Sequence, residues 1–202
     1  MITTLVFDLG GVLVDWDPRY VYRDLFEGDD DAMERFLADI CNGPWNLEQD
    51  RGRSLAAGTA LLCTEFPGQA ALIGAYYGRW PEMLRDEIPG MVELLTELHE
   101  AGRVRLLALT NWSAETFPVA RERFAWLGLF EGIVVSGEEK LVKPDPAIFE
   151  LLAKRFGLDP AQTLFVDDAQ KNVDGARAAG LKALRFIDAL ELRRELRRAA
   201  VL

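Results

Sequence analysis

Six residues of this chain combine reactive chemistry with a telling place. Asp8 follows the apolar run Ile2-Thr3-Thr4-Leu5-Val6-Phe7 and precedes Leu9-Gly10-Gly11-Val12. Thr110 and Asn111 close a second apolar run, Lys143 stands in a loop before Pro144, and Asp167 and Asp168 end another run. Adjacent carboxylates repel and raise one another's pKa unless a cation lies between them. Three carboxylates suit a hard divalent ion, and Mg²⁺ takes a few carboxylates together with waters and a phosphate. A hydroxyl, an amide and an ammonium beside them suit the oxygens of a phosphoryl group. Each signal alone has a plainer reading, such as a turn cap for Asp8 or a solvated loop for Lys143. Their coincidence in this order carries the weight.

The elements between them give these residues a common place. Strands are expected over 2–7, 104–110, 133–135, 163–166 and 183–186, and helices over 91–98, 115–124, 146–156, 173–179 and 189–198. Near-continuous apolar strands alternating with helices predict an α/β fold: a Rossmann-like parallel sheet of five strands with helices on both faces. Right-handed crossovers place all strand C-termini on one edge, where ligands bind in such sheets. Gly10 and Gly11 allow a sharp exit from the first strand and a close approach of backbone amides to a ligand. After the turn, residues 12–18 read as a short extended flap; beyond it, to about residue 86, the pattern is helical, with no strand-like run. The chain thus divides into a core of 1–15 and 87–202 and a small helical cap over 16–86.

Composition narrows the function. The chain has 202 residues, half of them hydrophobic, and a net charge of -10, which argues against binding nucleic acid or an anionic membrane surface. An anionic substrate stays possible because a metal ion and one lysine reverse the local field. Cys41 and Cys63 suggest reduced thiols, no leader sequence is evident, and no apolar run is long enough to span a bilayer. A cytoplasmic protein, monomeric or homodimeric, is expected. His99, the single histidine, falls near a helix end and is assigned a structural role, so no histidine chemistry is expected.

The order Asp8, Thr110-Asn111, Lys143-Pro144, Asp167-Asp168 resembles the haloacid dehalogenase-like hydrolase superfamily over nearly the whole chain. Phe7-Asp8-Leu9-Gly10-Gly11-Val12 is most similar to its subfamily of sugar-phosphate phosphatases and 2-haloacid dehalogenase-like proteins. The resemblance implies that Asp8 is a nucleophile forming an aspartyl-phosphate. It makes Asp8, the Gly10 carbonyl and Asp168 ligands of Mg²⁺. Asp167 would ligate through water or orient Lys143, and Asn172 occupies the place of a second acidic residue. Thr110 and Asn111, with the Gly11 amide, would hold phosphate oxygens, and Lys143 would neutralise charge on the nucleophile and the phosphoryl group.

One position departs from the pattern. Most phosphatases of the superfamily carry an acid-base Asp two residues after the nucleophile, where this chain has Gly10. A good leaving group, a substrate-bound water, Asp15 or a cap side chain are the available substitutes. Gly10 also suits hydrolytic dehalogenation, where a halide leaves without a proton, and a non-catalytic module is a third alternative. Retention of Asp167 and Asp168 favours metal and phosphate. The expected activity is therefore Mg²⁺-dependent hydrolysis of a small phosphate ester, sugar phosphates included. In the cap, residues 45–53 are expected to form a loop over the site, with Gln49 and Arg51 reading the substrate and Trp16 and Trp112 walling the cleft.

Overall fold

The computed structural model describes all 202 residues. Seven strands run in the order β1 (Thr4–Phe7), β2 (Val14–Trp16), β3 (Leu84–Glu87), β4 (Arg105–Thr110), β5 (Gly132–Val135), β6 (Thr163–Asp167) and β7 (Lys182–Arg185). Five of them form one sheet in the order β5-β4-β1-β6-β7, with every neighbouring pair parallel. β1 is therefore central, and β4 and β6 flank it. All four residues of β1 are buried, as a strand covered on both faces requires.

Successive side chains of a strand point to opposite faces. Val6 of β1 joins Leu107, Leu109 and Phe165 against helices α10 (Pro146–Phe156) and α11 (Gln170–Ala178). Leu5 and Phe7 face the other way, towards Leu94, Leu95 and Leu98 and towards Leu192 and Leu196. The helices in chain order are α1 (Arg19–Leu25), α2 (Asp30–Asp39), α3 (Gly43–Asp50), α4 (Leu55–Glu65), α5 (Ala70–Gly78) and α6 (Trp80–Met83), then α7 (Met91–Ala101), α8 (Phe117–Arg123), α9 (Ser136–Glu139), α10, α11 and α12 (Ala189–Arg198). No helix is long and apolar enough to cross a membrane.

The first six helices are packed around aromatic side chains. Tyr22 lies 5.1 Å from Phe36 and 6.2 Å from Tyr76, and Trp45 meets Tyr76 edge-on at 5.0 Å. Asn42 and Ser54 accept amides at the starts of α3 and α4, satisfying donors that a helix leaves free. At the borders of this helical block the extended flap after the turn is found as a strand, and the strand-free reading up to about residue 86 is corrected. Val14–Trp16 and Leu84–Glu87 are strands, paired antiparallel into a two-stranded ribbon. Three and four residues are too few to display an alternating pattern in sequence. The ribbon ties the entry and exit of the helical block together, directly after the turn that carries Asp8.

Candidate active site

Lys143 is the hub of the site. It is fully buried, and its Nζ lies 2.8 Å from Asp8 Oδ2 and 2.7 Å from Asp167 Oδ2. Burial works against the ammonium, but the two carboxylates outweigh it and raise the lysine pKa. Burial pushes Asp8 upward, and the Lys143 charge opposes that. The loop bearing Lys143 is held by Asn111. Asn111 Oδ1 accepts the Lys143 amide at 2.8 Å, and its Nδ2 donates to the Lys143 carbonyl at 3.0 Å. The expectation that the Asn111 side chain binds phosphate is corrected by this clasp, which uses both its ends. Its main-chain amide has no partner in the chain and is what remains for an anion.

Asp167 is similarly occupied. Oδ1 accepts the Ala169 amide at 2.9 Å, and Asn172 Nδ2 reaches both oxygens at 3.0 and 3.1 Å. Of the two roles expected for Asp167, this geometry serves the orientation of Lys143. Asn172 is the clamp on Asp167, and its own buried Oδ1 has no partner.

The turn after β1 shapes the rest. Leu9 donates its amide to Asp8 Oδ1 at 2.7 Å, fixing the carboxylate's rotation. The Leu9 carbonyl collects the amides of Val12, Leu13 and Val14, which closes the turn. Gly11 donates to the Val14 carbonyl at 2.9 Å, so the expected Gly11 amide contact to substrate is corrected: that donor is already spent. The Gly10 amide and carbonyl have no partner in the chain. Gly11 has φ 74, and a Cβ there would fall 2.7 Å from Asp168 Oδ2. Only glycine lets Asp168 close over the turn.

Asp8, Asp167 and Asp168 each bring an oxygen to within 4.8 Å of the others. Asp168 is raised by burial and by the neighbouring Asp167 charge, with Lys143 pulling the other way. Thr110, at the end of β4, is buried and its hydroxyl has no partner. Three strand ends of one sheet edge and the loop between α9 and α10 thus bring together an oriented carboxylate, another carboxylate without a basic partner, a buried ammonium and an unsatisfied hydroxyl.

Above this edge lies a cavity of about 100 Å³ between helices α3, α5 and α6 and the loop after β4. Trp16 and Trp112 do wall it, together with Tyr77 and Trp80. Trp80 and Trp112 meet at 5.7 Å, and the indole N–H groups of Trp16 and Trp112 have no partner. Residues 45–53 are not the expected loop, because α3 continues to Asp50. Gln49 is corrected as a substrate reader. It is fully buried, donating to the Trp45 carbonyl at 2.8 Å and to Tyr77 Oη at 3.0 Å. Arg51 is corrected too: it is exposed and sits 3.6 Å from Glu48 on the surface. Asn46 and Asp50, four residues apart on one face of α3, are the polar residues of this helix that reach the cavity. Their spacing was readable once the segment is known to be helical. Asp15 accepts the Tyr20 hydroxyl at 2.7 Å and does not line the cavity. His99 rests 3.1 Å from the Leu129 carbonyl, in a structural position.

A family model described as haloacid dehalogenase-like hydrolase matches residues 2–180. The sesquiterpene phosphatase of Aspergillus oryzae is 32% identical over 200 residues, covering 95% of this chain and 93% of that protein. The mouse N-acylneuraminate-9-phosphatase is 36% identical over 107 residues, which span 52% of this chain and 41% of that protein. Among solved structures, a Bacteroides thetaiotaomicron enzyme of the same family in a magnesium complex superposes with a TM-score of 0.72 at 27% identity, covering 98% of both chains. The L-2-haloacid dehalogenase of Xanthobacter autotrophicus shares the fold, with a TM-score of 0.64 at 20% identity over 100% of this chain and 85% of that one. The chain belongs to the haloacid dehalogenase-like hydrolases, a family in which its relatives include phosphatases.

Proposed function

We propose that this protein is a Mg²⁺-dependent phosphatase acting on a small phosphate ester, with Asp8 as the nucleophile. The observation that carries the reading is the buried Lys143 between Asp8 and Asp167, beside a third carboxylate, Asp168, that no basic side chain pairs. A site for halide displacement at carbon needs one carboxylate and has no use for a cluster of three. The donor set fits Mg²⁺. Asp8, Asp168 and the unpartnered Gly10 carbonyl are hard oxygens, and the raised Asp168 is a carboxylate that a cation would relieve. When bound, the ion screens the negative charges that otherwise repel as nucleophile and phosphate meet.

The chain's own residues do the rest. Leu9 and Lys143 hold the Asp8 carboxylate in one orientation. An Asp8 oxygen attacks phosphorus, the bond from phosphorus to the ester oxygen breaks, and the alcohol leaves with a proton. Water then attacks the aspartyl-phosphate at phosphorus, the bond to Asp8 breaks, and inorganic phosphate is released. The Thr110 hydroxyl and the Asn111 main-chain amide, both without a partner, hold phosphate oxygens in this reading, and Lys143 supplies positive charge where negative charge develops. The aromatic walls favour a leaving group with an apolar face. That the Aspergillus oryzae relative is named for a sesquiterpene supports the same inference.

The deciding experiment is phosphate release from a panel of isoprenyl, aryl and sugar phosphates with Mg²⁺ and with EDTA, alongside halide release from 2-haloacids. Mg²⁺-dependent phosphate release is expected. Halide release that EDTA leaves unchanged, with no phosphatase activity, would overturn the reading. Gly11→Ala adds a check on the metal-holding turn. The left-handed backbone costs roughly 1–2 kcal/mol with a Cβ, and the methyl collides with Asp168. The Mg²⁺ concentration for half-maximal activity is expected to rise about tenfold, and the Mg²⁺-induced rise in thermal midpoint to shrink.

A further inference from the structure

We propose that Asp50, delivered by the cap helix α3, is the general acid and base that Gly10 does not supply. The inference rests on the phosphatase reading above. Gly10 leaves a space: a Cβ built on it meets nothing within 4 Å. Gly10 borders the cavity under the cap, and Asp50 is the one carboxylate on that cavity's wall. The missing carboxyl of the β1 turn is thus answered by a carboxyl across the same cavity.

Asp50 is held as a functional group is held. Its Oδ2 accepts Asn46 Nδ2 at 3.1 Å. Asn46 Oδ1 accepts the Tyr77 hydroxyl at 2.9 Å, the Tyr77 oxygen accepts Gln49 Nε2 at 3.0 Å, and Gln49 Oε1 accepts Arg53 Nε at 2.5 Å. Every donor in this chain points towards Asp50. The buried Gln49 that sequence suggested as a substrate reader is a link in this relay. The Asp50 carbonyl also accepts the Ser136 hydroxyl at 2.6 Å, and Ser136 accepts the Trp112 amide at 2.9 Å. The end of α3 is therefore pinned to the loop that follows β4 and to the start of α9.

Its charge state suits the task. Burial pushes the Asp50 carboxyl up to about 7, against the Ser113 amide and the Lys143 charge, which pull it down. The other titratable groups that face it are the phenols of Tyr76 and Tyr77 on α5, both raised by burial. A carboxyl poised near neutrality both gives and takes a proton efficiently. As Asp8 attacks phosphorus and the ester bond breaks, the Asp50 carboxyl gives its proton to the leaving oxygen. The resulting carboxylate then takes a proton from the water that attacks the aspartyl-phosphate, and Asp50 is restored when inorganic phosphate departs.

The test is Asp50→Asn with saturating Mg²⁺ and two substrates: the phosphate of a primary alcohol, and 4-nitrophenyl phosphate, whose nitrophenolate leaves without a proton. Turnover of the alkyl ester is expected to fall ~10²–10⁴-fold. With 4-nitrophenyl phosphate a burst of one nitrophenolate per site, slowed less than about tenfold, should precede a slow steady state, because only the second step then needs the base. Wild-type kcat/KM for the alkyl ester should fall above pH about 7, and that limb should vanish in the variant. Gly10→Asp added to Asp50→Asn should recover alkyl turnover, since the space at Gly10 is open. If Asp50→Asn does not fold, Asn46→Ala reads the same group: removing the donor to Oδ2 should move the basic limb to higher pH. Equal losses on both substrates with an unchanged pH profile would assign Asp50 a purely structural role. A wild-type enzyme that releases no phosphate from either ester would instead overturn the phosphatase reading itself.

Discussion

Asp8→Asn abolishes turnover, by ~10⁴-fold or more, while the protein stays folded. The two parts of this expectation come from different features of the same side chain. An amide oxygen does not form the aspartyl-phosphate, so the covalent route is closed whatever else is in place. The fold survives because the substitution keeps the shape. Asn Oδ1 accepts the Leu9 amide as Asp8 Oδ1 does now, and Lys143 keeps Asp167 at 2.7 Å. One ion pair is lost, but a carboxylate that burial disfavours is lost with it, and these effects oppose each other. The thermal midpoint should stay within a few degrees of wild type. Phosphate release and trapping of the phosphoenzyme with hydroxylamine measure the chemistry. Wild type should yield the hydroxamate and the variant none. A variant that turns over at the wild-type rate would remove Asp8 from the nucleophile's place and the aspartyl-phosphate from the mechanism.

How much of this was legible in sequence follows the range of each signal. The sheet was, because β1, β4, β5 and β6 are largely apolar runs bounded by glycine or polar residues, and the helices over 146–156 and 189–198 match to the residue. The motif residues were, because Asp8, Thr110 and Asp167 sit at strand ends, and parallel topology alone brings strand ends together. What failed depends on distances that a sequence does not carry. Asn111 reads as a ligand until its amide is found clasping Lys143, 32 residues away. Gln49 and Arg51 read as a polar loop until α3 is seen to run to Asp50, burying Gln49 within it and leaving Arg51 exposed just past its end. A cap side chain is among the expected acids and Asp50 lies in the 45–53 stretch, but nothing local marks which of 33 acidic residues faces Gly10 across a cavity.

Lys143→Met should be the most destabilising single change in the site. Methionine fills much of the lysine stem's volume against Phe165, so packing is largely kept and the missing charge dominates. The change strands the carboxylates of Asp8 and Asp167, both buried, without their cation. Removing one partner of a buried pair costs roughly 3–5 kcal/mol, which for a domain of this size lowers the thermal midpoint by about 6–20 °C. The pH dependence identifies the cause. With the ammonium gone, Asp8 keeps burial and the Asp167 charge, which raise its pKa, against only the Leu9 amide. A carboxyl raised in the folded state binds its proton more tightly there than in the unfolded chain, so stability falls as pH rises through the carboxylate range. The deficit against wild type should therefore be smaller near pH ~5 than near pH ~8. Mg²⁺ should recover part of it, because a cation among these carboxylates replaces some of the lost charge and favours the folded state by mass action. Unfolding midpoints at two pH values, with and without Mg²⁺, make the measurement. A deficit that neither acid nor Mg²⁺ reduces would mean that Lys143 acts there as packing and not as the charge that lets two carboxylates share one buried site.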